Sequence, residues 1–190
     1  MVSEVITYLN DQIKASSLFE INYGYAKLVR DAEGEKPIYP TGKNEWSNIE
    51  YTDADKSFSY IRINGDITKS DSSGIQTTSC DDDTLTYYLP VRIVFFSEKT
   101  TIEGCDGFEE FTLSEKLQAA IDMDGVATEI SAKSIDLKPK SEIHDSAKLL
   151  KQEYDGRQMV PNLDYVYSAI DFTIEIEINV ACLNPCDKVY

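Results

Sequence analysis

The chain has few basic residues for its length. It carries 18 Lys and Arg against 34 Asp and Glu, which gives a formal net charge of −16. A surface of that charge repels phosphate backbones and anionic lipid headgroups. The densest basic stretch, residues 133–151, interleaves its lysines with Asp136, Glu142 and Asp145. We therefore expect no sequence-specific nucleic-acid binding and no binding to a membrane surface.

Long apolar runs are also missing. The longest is Ile93-Val94-Phe95-Phe96, whereas a helix needs about 20 apolar residues to cross a bilayer. The first residues contain no basic segment, and Glu4, Asn10 and Asp11 interrupt the apolar positions that a signal peptide would need. We expect no membrane span and no targeting segment, and hence a soluble protein that stays in the compartment where it is made.

Metal-ligating residues are sparse. There is one histidine, His144, and four cysteines, at positions 80, 105, 182 and 186. The spacing lacks the Cys-x2-Cys pairs of structural zinc sites, and no acidic segment completes the spacing of a calcium-binding loop. We expect no metal, no cofactor and reduced cysteines. A site formed by cysteines from three separate segments is the minority alternative.

No catalytic or nucleotide-binding pattern stands out. The tripeptide His144-Asp145-Ser146 contains the residue types of a hydrolase triad, but consecutive side chains on a helix point in different directions. Glu175 and Glu177 share one strand face, where solvated carboxylates are a simpler interpretation than an acid–base pair. Neither a G-x-G-x-x-G segment nor a P-loop occurs. The sequence predicts a protein that is not an enzyme.

The residues that are abundant indicate an ordinary folded domain rich in tyrosine. The 190 residues are 42% hydrophobic and 27% charged, which is typical of a globular chain that folds around one core. We therefore expect a single domain over residues 1–190. The chain also has 12 tyrosines, whose rings suit both sheet faces and protein–protein contacts. Both interpretations of the tyrosines stay open at this point.

Helical periodicity predicts two helices and indicates a third. Apolar residues recur at three- and four-residue steps in Val2–Ile13, and Ser3 is the expected N-cap. Thr112-Leu113-Ser114-Glu115 has the pattern of a capping box and predicts a helix over residues 112–121. The spacing of apolar residues in 143–154 indicates a short third helix.

Alternation of apolar and polar residues predicts the strands, which are residues 18–29, 57–63, 84–96 and 170–180, with a weaker candidate at 126–132. Pro90 within the third of these strands predicts an edge position or a bulge. The pair Asn64-Gly65 predicts a tight turn.

Two segments break these patterns. Residues 31–56 predict a long structured loop or a ragged hairpin, and residues 66–83 predict an exposed loop. The combination predicts an α+β fold, with an antiparallel or mixed sheet and two or three helices packed on one face.

The order of these elements resembles that of phage tail terminator proteins. The resemblance covers Val2–Ile13, Leu85–Phe96, Thr112–Ile121 and Ile170–Cys182. Members of that family are structural proteins that form rings, often hexameric, at the end of the tail tube or in the neck between portal and tail. This chain departs from the compact members by its segments 31–56 and 66–83, which leaves its position in the virion open.

The resemblance implies a structural virion protein of a tailed bacteriophage, a tail terminator or head–tail joining protein made in the host cytoplasm. It implies a homo-oligomeric ring, hexameric or dodecameric, that contacts other neck, tail or portal-adjacent proteins and has DNA passing through its lumen. The alternative is a small soluble module that binds a ligand or a metal without catalysis. Thermal stabilisation by an added metal would favour that alternative.

The candidate interface residues lie on the long strand and in the acidic segment before it. They are Tyr87, Tyr88, Phe95, Phe96, Asp81, Asp82 and Asp83. Exposed aromatic side chains are enriched in protein interfaces. The three aspartates are candidates for lining a ring lumen or for docking a basic neighbour.

Overall fold

In the part of the chain that the structure describes, the fold combines a large mixed sheet, a small antiparallel sheet and three helices with defined bounds. The computed structural model describes residues 1–50, 56–71, 84–98, 109–123, 127–128, 130–155, 157 and 165–179. The helices are α1 (Val2–Ala15), α2 (Glu109–Ala120) and α3 (Ser146–Glu153). The strands are β1 (Ile21–Tyr25), β2 (Lys27–Asp31), β3 (Gly34–Gly42), β4 (Glu45–Asn48), β5 (Phe58–Ile63), β6 (Thr68–Asp71), β7 (Thr84–Glu98), β8 (Ser134–Ile143) and β9 (Tyr165–Asn179).

The large sheet has six strands in the order β1-β5-β7-β9-β8, and β6 pairs with β7 on the same side as β5. Among the described strand pairs of this sheet, β1 and β5 alone run parallel, so the sheet is mixed. At its centre, β7 and β9 pair along their full lengths, from Thr84 opposite Asn179 to Glu98 opposite Tyr165. The alternation that predicted both strands is confirmed, and so is the α+β class.

Both faces of the large sheet carry a hydrophobic core. On the first face, alternate residues of β7 and β9, such as Val91 and Phe172, pack against α1 and Leu117 of α2. On the second face, Phe58, Phe96 and Tyr167 pack with residues of α3 and of the segment that contains the small sheet. Two helices, α1 and α2, thus pack on one face as predicted, but the expectation that a third helix joins them there is wrong. The third helix covers the opposite face because its buried Leu149 and Leu150 meet the second core.

Helix α1 begins at Val2 as predicted, but its N-cap is Met1 and no side chain caps it, so the assignment of Ser3 is wrong. The ammonium group of Met1 pairs with Glu4 in the first turn. Helix α2 begins at Glu109, so Thr112 lies inside the helix and not at its cap. The strand predicted at 126–132 is also wrong, because the described residues there form helical and turn structure and the strand begins at Ser134.

The segment 31–56 contains strands instead of a long loop. Strands β2, β3 and β4 form an antiparallel sheet, which agrees with the hairpin alternative. The predicted strand 18–29 divides at Ala26, whose N–H donates to the Ile61 carbonyl before the chain enters the small sheet. Part of the segment 66–83 is strand β6, and residues 72–83 lie outside the described part.

A bulge replaces the predicted turn at Asn64-Gly65. Strands β5 and β6 follow one another along the same side of β7, since Ile63 lies opposite Val91 and Thr68 opposite Tyr88. The four residues 64–67 therefore lie opposite only two residues of β7, Leu89 and Pro90. The edge alternative for Pro90 is wrong because β7 is central. Strand β7 itself pairs with β9 through Pro90 without a register shift, so the irregularity lies in the residues opposite and not in β7. Proline cannot donate a ladder hydrogen bond, and a bulged neighbour removes the need for one.

No helix within the described ranges is long and apolar enough to span a bilayer.

Candidate functional site

The aromatic residues predicted for an interface are divided between the core and the surface. Phe95 is fully buried, with its ring 5.8 Å from that of Phe19. Phe96 is 3% exposed and stacks on Phe58 at 5.0 Å and on Tyr165 at 4.6 Å. Neither side chain is available to another protein, which corrects that part of the prediction. Alternation along β7 places one of them in each core.

The two tyrosines of the same strand are half-buried. Tyr87 packs against the core of the first face. Tyr88 lies on the second face, in register with Thr68 of β6 and Glu175 of β9. The three acidic candidates, Asp81, Asp82 and Asp83, lie outside the described residues, as do all four cysteines.

The residue types that resembled catalytic patterns serve separate local roles. Asp145 is the N-cap of α3 and accepts the Lys148 N–H at 3.0 Å. The Ser146 hydroxyl bonds the backbone of Tyr167, and His144 Nε2 lies 2.9 Å from Glu142. The three residues are therefore not organised as a triad.

Nor do Glu175 and Glu177 form an acid–base pair. They make ion pairs with Lys138 and Lys133 instead. Within the described residues, no group of three or more His, Cys, Asp and Glu side chains could hold a metal.

A cluster of buried charges lies beside the second core, where the end of α3 meets the large sheet. This charged cluster consists of Arg62 on β5, Arg92 on β7, Glu153 at the end of α3 and Asp171 on β9. Glu153 is fully buried and accepts from Arg62 Nη2 at 2.8 Å and from Arg92 Nη1 at 3.2 Å. Arg92 also donates to both oxygens of Asp171, at 2.7 and 2.9 Å.

Buried phenols extend the cluster into the second core. The Tyr60 hydroxyl lies 3.1 Å from Glu153 Oε2 and 3.2 Å from the Tyr167 hydroxyl. Burial, followed by the charge of Glu153, raises the pKa of Tyr60 well above its usual value. Burial likewise raises the pKa of Tyr167. Both phenols are therefore neutral hydrogen-bonding groups at any physiological pH.

The charged cluster binds α3 to three strands of the sheet. Burial opposes the charge of Asp171, but the hydrogen bonds and charge of Arg92, with those of Ser141 and Asn64, bring its pKa below the usual value. Arg62 also donates a hydrogen bond to Asn64 Oδ1 at 2.9 Å, and Arg92 donates one to Gln152 Oε1 at 2.8 Å. The two guanidinium groups thus face two carboxylates and are already hydrogen-bonded. We interpret the cluster as a structural clamp, in which paired charges fix a unique arrangement.

At the surface of the protein, strand β6 forms an open edge of the large sheet. Asn64 N–H donates to the Pro90 carbonyl at 2.9 Å, so the backbone of Pro90 faces β5 and β6. Backbone groups alternate in direction along a strand, so Tyr88 and Thr86 also face β6, where they pair with Thr68 and Ser70. It follows that the N–H and C=O of Lys69 point away from β7. No described strand lies on that outer side of β6.

An apolar groove lies along the same side of the sheet. It has a volume of about 280 Å³ and is lined by α1 residues including Val2 and Ile6, by Tyr25 at the end of β1, and by Ile63 at the end of β5. Strand β1 ends at Tyr25, opposite Ile61 and two residues before the end of β5 at Ile63, and the chain then enters the small sheet; the groove lies at this step. Ile67, in the bulge before β6, is 43% exposed.

The groove is bordered by a polar depression on the same helix. That depression is lined by Ser3, Glu4, Thr7, Tyr8 and Asp11, and it shares Ser3 and Thr7 with the groove. We refer to β6, the groove and this border together as the open edge.

Comparisons with known proteins add no family assignment. No protein-family model matches the chain, and no curated protein matches it either.

The sequence patterns predict neither the charged cluster nor the open edge, and each omission has a physical reason. Glu153 and Arg62 are 91 residues apart, and no local pattern reports such a pairing. A usable signal was present, since Arg62 and Arg92 each lie between two apolar residues within a strand. The open edge depends on where β1 ends relative to β5 and β6, which only the register of the sheet reveals.

Proposed function

We propose that this chain is a structural protein that works by assembling with other protein chains, as a ring-forming neck or tail component of a tailed bacteriophage. In this role it is a tail terminator or head–tail joining protein. The proposal combines the resemblance in element order with one structural observation, the open edge at β6.

The open edge supports assembly because unpaired backbone groups on a strand are a ready site for another polypeptide. A ring closes when each subunit offers one surface to a neighbour and receives a different surface in return. The exposed backbone of Lys69 and the apolar groove beside it would supply a surface for a neighbouring protein of the neck or tail, while other surfaces join the subunits of the ring.

The opposite border of the large sheet is protected against the same kind of contact. Strand β8 carries Pro139, a bulge between Pro139 and Ser141, and the exposed side chains of Lys138 and Lys140. Proline, bulges and lysines are the features by which natural sheets prevent pairing at an edge. The contrast between β8 and β6 favours β6 as the contact side.

Light scattering on the purified protein, followed by negative-stain electron microscopy, tests the proposal. We expect a discrete hexameric or dodecameric ring, or a monomer that joins such a ring when purified neck or tail proteins are added. A protein that stays single-copy with every neck and tail component tested would contradict the proposal.

Binding of a small ligand is the second candidate, and one observation favours it. An open depression of about 570 Å³ lies beside the charged cluster, and its charged lining residues are Arg62, Arg92, Lys148, Lys151, Glu35 and Asp155. The basic residues outnumber the two acidic ones, so this rim would favour a multivalent anion. Citrate should then raise the melting temperature well beyond the effect of sodium chloride at equal ionic strength, because a ligand that binds only the folded state stabilises it. Equal effects of the two salts would exclude this candidate.

A further inference from the structure

We propose that the open edge binds an extended segment of a basic partner protein by strand addition, with one apolar side chain of that segment seated in the groove under α1. The inference names the partner class for the assembly role proposed above and rests on that role. It assigns the main-chain contacts to β6 and the side-chain contact to the groove.

The main-chain part of the site follows from the direction of the Lys69 backbone. Its N–H and C=O point away from β7, and residues 66–70 are exposed. An added strand pairs with such groups through hydrogen bonds that do not depend on side-chain identity. The added segment would pair with the outer side of β6, in line with β1 and beyond its end at Tyr25.

The side-chain part follows from the groove. Alternate residues of an added strand point to the same face of the sheet, and the groove lies on the face that α1 covers. Its volume of about 280 Å³ compares with about 30 Å³ for one water molecule, so it has room for a branched aliphatic side chain. Val2, Ile63 and Tyr25 would surround that side chain with apolar surface.

Charge identifies the occupant of this edge as a basic segment in preference to a segment of a second copy. The chain carries a net charge of −16, so a basic segment is attracted to the edge more strongly than an acidic one within the screening distance of the solution. Glu4 and Asp11 border the groove, and Asp66 precedes β6. The Met1 ammonium offsets Glu4, and Lys69 adds one positive charge, but the surrounding field remains that of a strongly acidic protein. A segment flanked by lysine or arginine is attracted by this field.

A synthetic peptide of sequence Lys-Val-Thr-Val-Thr-Val-Lys, labelled with fluorescein, is the probe for the binding test. Fluorescence anisotropy should report saturable binding, and replacing both lysines of the peptide by glutamate should abolish it. The variant Lys69→Pro removes an N–H that makes no bond to β7, so it should preserve the fold and weaken binding about tenfold. Lys69→Gln keeps that N–H and is the matched control, which should bind within about threefold of wild type.

Two backbone-modified peptides test the site without changing the protein. N-methylation of the central valine and N-methylation of the adjacent threonine block opposite edges of the peptide strand. Because neighbouring N–H groups point in opposite directions, one modified peptide should lose binding and the other should retain it. Loss with both peptides or with neither would overturn the strand-addition geometry.

Further outcomes separate this inference from the assembly role. Slow hydrogen exchange of the Lys69 amide in the free protein would show that the edge is already paired within the chain, and would overturn the inference. So would absence of peptide binding, or a wild-type oligomer that dissociates in Lys69→Pro, since the edge would then bind a second copy. A ring that forms while the peptide fails to bind leaves the proposed function intact and removes only this site.

Discussion

Glu153 is the residue through which the charged cluster acts on the fold. It is fully buried, and its two oxygens accept hydrogen bonds from Arg62, Arg92 and the Tyr60 hydroxyl. A buried ion pair gains little relative to a hydrophobic substitute, but the removal of one partner leaves an uncompensated charge inside the protein. The carboxylate is therefore more important to stability than any surface acid of this chain.

Replacing Glu153 by glutamine tests this role. The variant keeps the shape of the side chain but leaves Arg62 without a carboxylate partner, so we expect the free energy of unfolding to fall by about 3 kcal/mol or more. Urea denaturation followed by circular dichroism gives the value. The matched control is Glu33→Gln, whose carboxylate is 78% exposed beside Arg157 and should cost less than about 1 kcal/mol. Equal costs for the two variants would show that the cluster does not act as a clamp.

Asp171 makes the stability of the protein depend on pH in the acid range. Its folded pKa is below its usual value, because Arg92, Ser141 and Asn64 outweigh the opposing effect of burial. Between the folded and unfolded pKa values, the unfolded chain binds more protons, so stability rises with pH there. We expect the free energy of unfolding to be constant above about pH 5 and to fall as the pH drops through about 4.

The variant Asp171→Asn should lose stability at neutral pH and show a shallower decline in acid. Urea midpoints measured across the acid range for both proteins give the comparison. Part of the decline will persist, because a hydrogen bond from Lys36, followed by the Glu33 backbone N–H, lowers the pKa of Asp31 to about 2. Parallel pH curves for wild type and variant would contradict the assignment to Asp171.

At the scale of elements, the bulge between β5 and β6 determines the path of the open edge. Gly65 has a φ of 137°, a value that residues with a side chain rarely adopt. A Cβ at this position would lie 3.3 Å from Pro90 Cγ, in the strand opposite. Both the backbone conformation and the close approach therefore require glycine here.

Substitution of Gly65 by alanine should destabilise the protein by about 1–3 kcal/mol, because the side chain forces a sparsely populated backbone conformation. Gly42→Ala is the matched control. Its φ is not positive, and an added Cβ would meet mainly the flexible carboxylate of Glu45, so the change should stay under about 1 kcal/mol. Thermal unfolding of the two variants against wild type gives the test, and a Gly65 variant as stable as the control would contradict it.

The elements that could be predicted are those whose burial repeats along the chain. Alternation identified β5, β7 and β9, and helical spacing identified α1 and α3, because each of these buries one or both faces in a regular way. The path after Tyr25 could not be predicted, since Ala26 moves the chain between sheets without any break in the local pattern. The prediction of a tight turn at Asn64-Gly65 was wrong for a related reason. Glycine suits both a bulge and a hairpin turn, and only the pairing with the partner strand shows which of the two forms.

At the scale of the whole molecule, one sheet joins two cores. Leu89, Val91 and Ile93 of β7 face α1, while Val94 and Phe96 of the same strand face the second core. The small sheet is tied to the second core through Ile49, which is fully buried, and through the Tyr154 hydroxyl, which donates to the Ile49 carbonyl at 2.7 Å. The Glu35 N–H also donates to the Asp155 carbonyl at 2.7 Å. These contacts give a physical reason for the two sheets to unfold together.

Trp46 allows that cooperativity to be measured without labelling. It is the one tryptophan of the chain, lies on β4 of the small sheet, is 40% exposed, and has Lys27 Nζ 3.9 Å from its ring centroid. Its fluorescence therefore reports on the small sheet, whereas far-ultraviolet circular dichroism reports on all elements. If the two cores form one cooperative unit, both signals should show the same urea midpoint.

The variant Tyr154→Phe makes the test stringent, because it leaves the buried Ile49 carbonyl without its phenolic donor and should cost about 1–3 kcal/mol. In a cooperative protein that loss moves the fluorescence and dichroism curves together. A fluorescence transition at lower urea than the dichroism transition, in wild type or in the variant, would show that the small sheet opens on its own. The second core would then be a contact between two separately stable parts, and the clamp at Glu153 would hold only α3 on the large sheet.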